Sequence, residues 1–234
     1  MPFGRAVIAR AGGKIAASII TEDAIMTDTQ STPARLPIGS ADGVAFDVVA
    51  WGPAHADVDF SVACMFEHEV DGAAIAGGLL ELDEALGKQL TRLRTDGFFG
   101  GQPMETLLIT QPPAGVTARA VLVIGLGDPS TLDGERLRQA TRVAMREAIR
   151  HGARSMAFAP SVLDAGHTNN AGLNMQEVML DGMLGALRTE LALAAAGLTA
   201  RPALQQCTFD VGAPRLAGAA ESFAAAFEGL FEAD

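Results

Sequence analysis

A chain of 234 residues, 49% hydrophobic and 19% charged, is long enough for one sizeable domain and has globular composition. Aromatic residues make up 5%, with one Trp and no Tyr, so the core must be aliphatic, which favours helices packed on a sheet over a β-sandwich. A net charge of −11 repels phosphate backbones and anionic headgroups, so neither nucleic acid nor a lipid surface is an expected partner, and no run approaches the ~18 apolar residues that span a bilayer.

Residues 1–42 read as a tail. Residues 1–21 carry Arg5, Arg10 and Lys14 and no acid, a weak likeness to a targeting peptide that Gly12-Gly13 interrupts. The reading is that Met26 is the true start, followed by a polar, disordered leader from Thr27 to Pro33. The domain is expected over 43–234.

Residues 44–50 are β-rich and stop at Gly52-Pro53, and 58–66 form a second strand before the acidic loop Glu67-His68-Glu69. Residues 79–94 predict one helix. Leu79, Leu82, Leu86, Leu90 and Leu93 share a face, Glu84 and Lys88 form an i,i+4 pair, and Gly97 ends it. Residues 105–111 and 119–125 predict two antiparallel strands joined through Pro112-Pro113-Ala114-Gly115. The second is continuously apolar and so buried on both faces. A helix over 132–150 with a capping box from Ser130 to Asp133 leads to a strand over 154–159 closed by Pro160. After the polar loop 164–170 comes a helix of about 20 residues ending near Gly197. Its Met175, Met179 and Met183 are core spacing. A strand over 204–211 precedes a last helix opened by Pro214, with Leu216, Ala220, Phe223, Phe227 and Phe231 at helical spacing. About six strands and four helices, with one hairpin in an otherwise alternating order, predict an α/β three-layer sandwich on a mixed sheet.

The chain is poor in catalytic patterns: it has no HExxH, no GxSxG and no P-loop lysine. Cys64 and Cys207 lie in apolar strand-like runs and read as buried free thiols of a reducing, cytoplasmic compartment. His55, Asp57, Asp59 and His68 read as a solvated acidic stretch rather than a metal site. Gly125-Leu126-Gly127 stands between a buried strand and a helix, where α/β proteins seat phosphates on backbone N–H groups. Ser130 occupies the third glycine position of that fingerprint, so a tight turn competes with a ligand seat formed by Gly125, Gly127, Asp128 and Ser130. Asn169-Asn170-Ala171-Gly172 reads as a turn before a helix.

Three runs resemble the N-terminal domain of the M17 leucyl aminopeptidases: Leu86-Gly87-Lys88-Gln89-Leu90, Gly97-Phe98-Phe99-Gly100-Gly101-Gln102-Pro103-Met104-Glu105-Thr106 and Val121-Leu122-Val123-Ile124-Gly125-Leu126-Gly127. Leu137-Arg138-Gln139-Ala140 continues the likeness, while Gln102 stands where the family often has lysine or a small residue and Asp128 where it often has lysine. The resemblance covers about 44–232 and is weaker outside 80–160. It implies a macro-domain-like sandwich. It also implies that the family's two divalent metals, zinc or manganese, and its catalytic residues belong to a C-terminal domain. No residue here matches that domain's N-T-D-A-E-G-R-L motif, so the expectation is a stand-alone, non-catalytic module holding neither metal nor cofactor. The leading expected role is oligomer assembly or regulation of a peptidase, with a second copy or a full-length aminopeptidase as partner through the Phe223, Phe227, Phe231 face. The alternatives are a macro-domain-like binder of ADP-ribose or nucleotides and one half of a split metal-dependent aminopeptidase.

Overall fold

The structure is a computed structural model that describes residues 35–68, 75–160 and 174–232. They fall in one of the two compact units into which the chain divides, 33–234; the other, 1–32, lies outside the described residues, as do the expected start at Met26 and the loop Asn169-Asn170-Ala171-Gly172. Seven strands appear: β1 (Leu36–Ala41), β2 (Val44–Val49), β3 (Phe60–Phe66), β4 (Thr106–Ile109), β5 (Ala120–Gly127), β6 (Ser155–Ala159) and β7 (Gln206–Asp210). Five helices join them: α1 (Gly77–Ala85), α2 (Gln89–Thr95), α3 (Gly134–Arg150), α4 (Met175–Ala195) and α5 (Leu216–Glu232).

The strands form one sheet in the order β1-β2-β7-β6-β3-β5-β4. The inner five run parallel, and β1 and β4 close the two edges antiparallel. Side-chain alternation sorts the core into two layers. On β3 and β5, Phe60, Val62, Cys64, Leu122, Ile124 and Leu126 face the layer with α3, α4 and α5. Ala63, Met65, Val121 and Val123 face the smaller layer with α1 and α2. The result is the expected three-layer sandwich on a mixed sheet, with the expected hairpin at its β4–β5 edge.

Three local readings need correction. First, among the described residues the sheet has seven strands where about six were expected, because part of the expected tail, Leu36–Ala41, is β1. Asp42 and Gly43 both take positive φ, 54° and 83°, the two-residue turn that matches strand twist, and return the chain into β2. Second, the helix expected over 79–94 is two helices. Gly87 and Lys88 are left-handed, at φ 66° and 64°, and the Lys88 N–H closes α1 on the Asp83 carbonyl at 2.7 Å. The Glu84–Lys88 pair survives across the break at 3.1 Å. Third, the capping box expected from Ser130 to Asp133 does not form. Asp133 itself caps α3, accepting from the Arg136 N–H at 2.8 Å, and Asp128 caps the short turn before it.

α3 and α4 pack closely because Gly182 has no side chain. A Cβ there would stand 2.1 Å from Thr141 Oγ1 and 2.6 Å from the Arg138 carbonyl oxygen. Arg138 then bonds Asp181 at 2.7 Å beside that contact.

Candidate functional site

At the carboxyl ends of β2, β6 and β7 lies a crevice of about 310 Å³, the position where open α/β sheets hold ligands. Its walls come from four separate places: Trp51 and Pro53 after β2, Gly77, Gly78 and Glu81 of α1, Pro160 after β6, and Asp210, Gly212 and Arg215 after β7. Local chemistry explains each wall. Gly52 and Gly212, at φ 77° and 75°, turn the chain sharply as β2 and β7 leave the sheet. Gly78 lets α1 lie against the loop after β2, since a Cβ there would sit 2.7 Å from Pro53 Cδ.

Asp210 is buried, and its Oδ1 accepts the Trp51 backbone N–H at 3.1 Å, tying the ends of β2 and β7 together. The Val211 N–H donates to the Val49 carbonyl at 3.0 Å in the same seam. Trp51 Nε1 is buried and makes no hydrogen bond among the described residues. The Arg35 guanidinium covers the outer face of the indole at 4.9 Å and is held there by Asp47, which it pairs at 2.7 Å. Among the described residues no side chain caps the N-terminus of α1, so Gly77 and Gly78 present an uncapped first turn to the crevice. The wall thus combines two carboxylates, Asp210 and Glu81, with one guanidinium, Arg215, and the partial positive end of a helix.

The turn singled out in the sequence lies elsewhere, at the end of β5. The Gly125 N–H donates to the Glu105 carbonyl at 2.7 Å and the Gly127 N–H to the Gly101 carbonyl at 2.9 Å. The two glycines admit that loop: a Cβ on Gly125 would stand 2.0 Å from the Gln102 oxygen, and one on Gly127 would stand 2.6 Å from Pro103 Cγ. Ser130 gives both its N–H and its hydroxyl to Asp128 Oδ1, at 2.8 and 2.7 Å. These bonds hold the Asp128 carboxyl below the usual carboxylate range. The four residues are neighbours as expected. What they offer a ligand is a carboxylate rather than a row of N–H donors.

His55 bonds Gly52 through its backbone, Asp59 pairs with Arg119, and His68 lies 3.8 Å from Asp128. Among the described residues, no group of three or more His, Cys, Asp and Glu could hold a metal ion. Cys64 and Cys207 are buried free thiols, and burial pushes both up out of the reactive range. On α5, Phe223 and Phe227 fold back into the core. Phe223 stacks on Phe209 with ring centroids 4.2 Å apart, and Phe227 lies against Phe46 at 5.7 Å. Phe231 stays 41% exposed, with the Arg188 guanidinium over its ring. Of the three expected contact residues, only Phe231 is available to a partner.

Residues 65–178 match the family described as the cytosol aminopeptidase family, N-terminal domain. Over that stretch the chain is similar to a cytosol aminopeptidase N-terminal domain. The fold agrees. A tomato leucine aminopeptidase mutant superposes with a TM-score of 0.54 at 15% identity, over 83% of this chain and 37% of that one. The chain therefore spans just over a third of that enzyme's length. A Trypanosoma brucei macrodomain in complex with ADP aligns with a TM-score of 0.53 at 20% identity, covering 82% of this chain and 74% of that one. An Oceanobacillus iheyensis macrodomain mutant aligns with a TM-score of 0.57 at 12% identity, covering 86% and 100%. At these identities the likeness is one of fold alone, and that fold is the macro-domain-like sandwich the resemblance implied. No curated protein matches the sequence. Among the described residues, no helix is long and apolar enough to cross a membrane.

Proposed function

We propose that this aminopeptidase-type domain is a non-catalytic module that binds a small ligand of the ADP or ADP-ribose class and thereby regulates a peptidase or its assembly. The observation that carries the ligand half is the crevice at the ends of β2, β6 and β7. Its two carboxylates, Asp210 and Glu81, suit donors such as a base amino group and ribose hydroxyls. Arg215 and the uncapped first turn of α1 suit a diphosphate. A bare polyphosphate meets as much negative as positive charge here, so the nucleoside portion carries recognition. Trypanosoma brucei and Oceanobacillus iheyensis macrodomains have been captured with ADP and, the latter as a mutant, with ADP-ribose.

Calorimetry with ADP-ribose, ADP, adenosine and pyrophosphate tests this reading. The expected order is ADP-ribose and ADP ahead of adenosine, with no heat from pyrophosphate and a change in Trp51 emission on binding. No heat and no change in emission at millimolar ADP-ribose overturns it.

The family match supports the peptidase half. Light scattering on the chain alone and mixed with a full-length leucyl aminopeptidase is expected to show a second copy or a complex. A strict monomer in both samples overturns that half. Release of leucine from a chromogenic substrate by the pure chain with manganese or zinc overturns the non-catalytic reading.

A further inference from the structure

A second cavity, of about 300 Å³, opens at the other end of the sheet, where β3, β5 and β6 begin. Its wall holds Arg119, Arg154, His151 and Thr110, and a single carboxylate, Asp59. That sign is unusual for a chain with a net charge of −11. Asp59 is already committed: its Oδ2 accepts the Arg154 backbone N–H at 2.8 Å, and its Oδ1 lies 3.2 Å from Arg119 Nη1.

The backbone donors of this wall are used internally as well. The N–H groups of His151, Gly152 and Ala153 close the end of α3 on Glu147, Ile149 and Ala148, and that of Ala120 bonds the Asp59 carbonyl. The donors that remain belong to side chains. The Arg154 guanidinium makes no hydrogen bond or ion pair among the described residues. Arg119 is 84% exposed around its one ion pair. The His151 ring is held by Nδ1, which donates to the Glu147 carbonyl at 2.9 Å, and by stacking on Phe60 at 5.4 Å, so the neutral ring has only an acceptor left at Nε2 and forms wall rather than a donor.

Against this charge stands the carboxyl end of α3, about half a negative charge whose effect falls off within one turn. With the Asp59 carboxylate counted as well, the two guanidinium charges still leave the wall net positive, by about half a charge. We propose that this cavity binds a small phosphomonoester, its phosphoryl oxygens held by Arg154, Arg119 and Thr110. Donors drawn from two connections, β4–β5 and α3–β6, suit a tetrahedral phosphoryl group better than a planar carboxylate. The cavity also exceeds what a bare phosphate fills, and Ala120, Ala153 and the edge of Phe60 offer the organic group an apolar wall. The site shares no residue with the crevice and does not depend on the function proposed for it.

The test is a titration of the full chain at low salt, followed by amide chemical shifts, with phenyl phosphate, inorganic phosphate and benzoate. Saturable shifts at Thr110, Arg119 and His151 with phenyl phosphate are expected, at least about tenfold tighter than with benzoate. Among the described residues Arg154 has no side-chain partner to lose, so Arg154→Glu is expected to fold normally and to weaken phenyl phosphate by about tenfold or more. Unchanged binding in that variant, no saturation with phenyl phosphate, or shifts confined to the Trp51 crevice overturns the site. Equal affinity for inorganic phosphate overturns the assignment of an organic ester.

Discussion

Asp83, near the end of α1, caps the helix that follows it: its Oδ1 accepts the N–H groups of Leu90 and Thr91 at 2.9 and 3.3 Å, and its Oδ2 accepts the Thr91 hydroxyl. The carboxylate is fully buried. It replaces the α-helical hydrogen bonds that the left-handed pair Gly87-Lys88 interrupts. Asp83→Ala is expected to cost about 2–4 kcal/mol, because it strands buried donors as well as removing a charged acceptor. Thr91→Ala, which leaves the backbone bonds intact, is expected to cost about 1 kcal/mol. Urea denaturation of both variants checks the ranking, and equal losses would contradict it.

Two glycines of α4, three residues apart, are expected to respond to the same change with opposite signs. Gly182→Ala drives a methyl group into Thr141 and the Arg138 carbonyl, which is expected to destabilise by about 1–3 kcal/mol. Gly185 has nothing within 4 Å of an added Cβ, so Gly185→Ala is expected to stabilise by about 0.5–1 kcal/mol through helix propensity alone. Thermal melts of the pair separate close packing from a general intolerance of α4 to substitution.

The Asp128–Ser130 bonds carry a pH signature. Asp128 has its carboxyl lowered first by the Ser130 hydroxyl and then by the Ser130 N–H. A lowered folded-state value means that the carboxylate favours the folded turn above the ordinary aspartate value of about 3.9, and that this support is lost as pH falls through the lowered value. Carbon-detected titration should place the Asp128 midpoint below about 3.9, and Ser130→Ala should move it back up. A midpoint that ignores Ser130→Ala would contradict the assigned cause.

On α5 the three phenylalanines should divide sharply. Phe223 is 1% exposed and stacked on Phe209, so Phe223→Ala is expected to cost about 3–5 kcal/mol. Phe231→Ala is expected to cost less than about 1 kcal/mol in the isolated chain. If a partner docks on this helix, Phe231→Ala is the substitution that weakens the complex, which light scattering on the mixture would show.

Much of the sandwich was legible because parallel, buried strands are written as short apolar runs separated by helical periodicity, as in residues 120–127 and 134–150. The misses have local causes. Asp42-Gly43 is a strong hairpin signal, but Pro37 and Gly39 disguise the short strand before it. The leucine stripe from Leu79 to Leu93 continues across the break between α1 and α2. Gly87 was its visible warning, while the buried Asp83 cap depends on a neighbour seven residues away. Gly125 and Gly127 were conspicuous for a good reason, close backbone approach, but the chain that approaches them is the protein's own loop rather than a ligand. The crevice could not be read at all. Trp51, Glu81, Pro160 and Asp210 meet only because β7 inserts between β2 and β6, and no local pattern encodes that neighbourhood. Its sole traces were the Gly52-Pro53, Pro160 and Gly212 punctuation after three strands.

That insertion also dictates when the domain can come together on a ribosome. The β1–β2 hairpin and the group β3, β4, β5 and β6 can each assemble as they are made, but they remain two separate half-sheets until Gln206–Asp210 emerges to bridge them. Until then β2 and β6 each carry an unsatisfied parallel edge, open to mispairing. A nascent chain arrested short of that segment is therefore the form most exposed to aggregation and to chaperone capture.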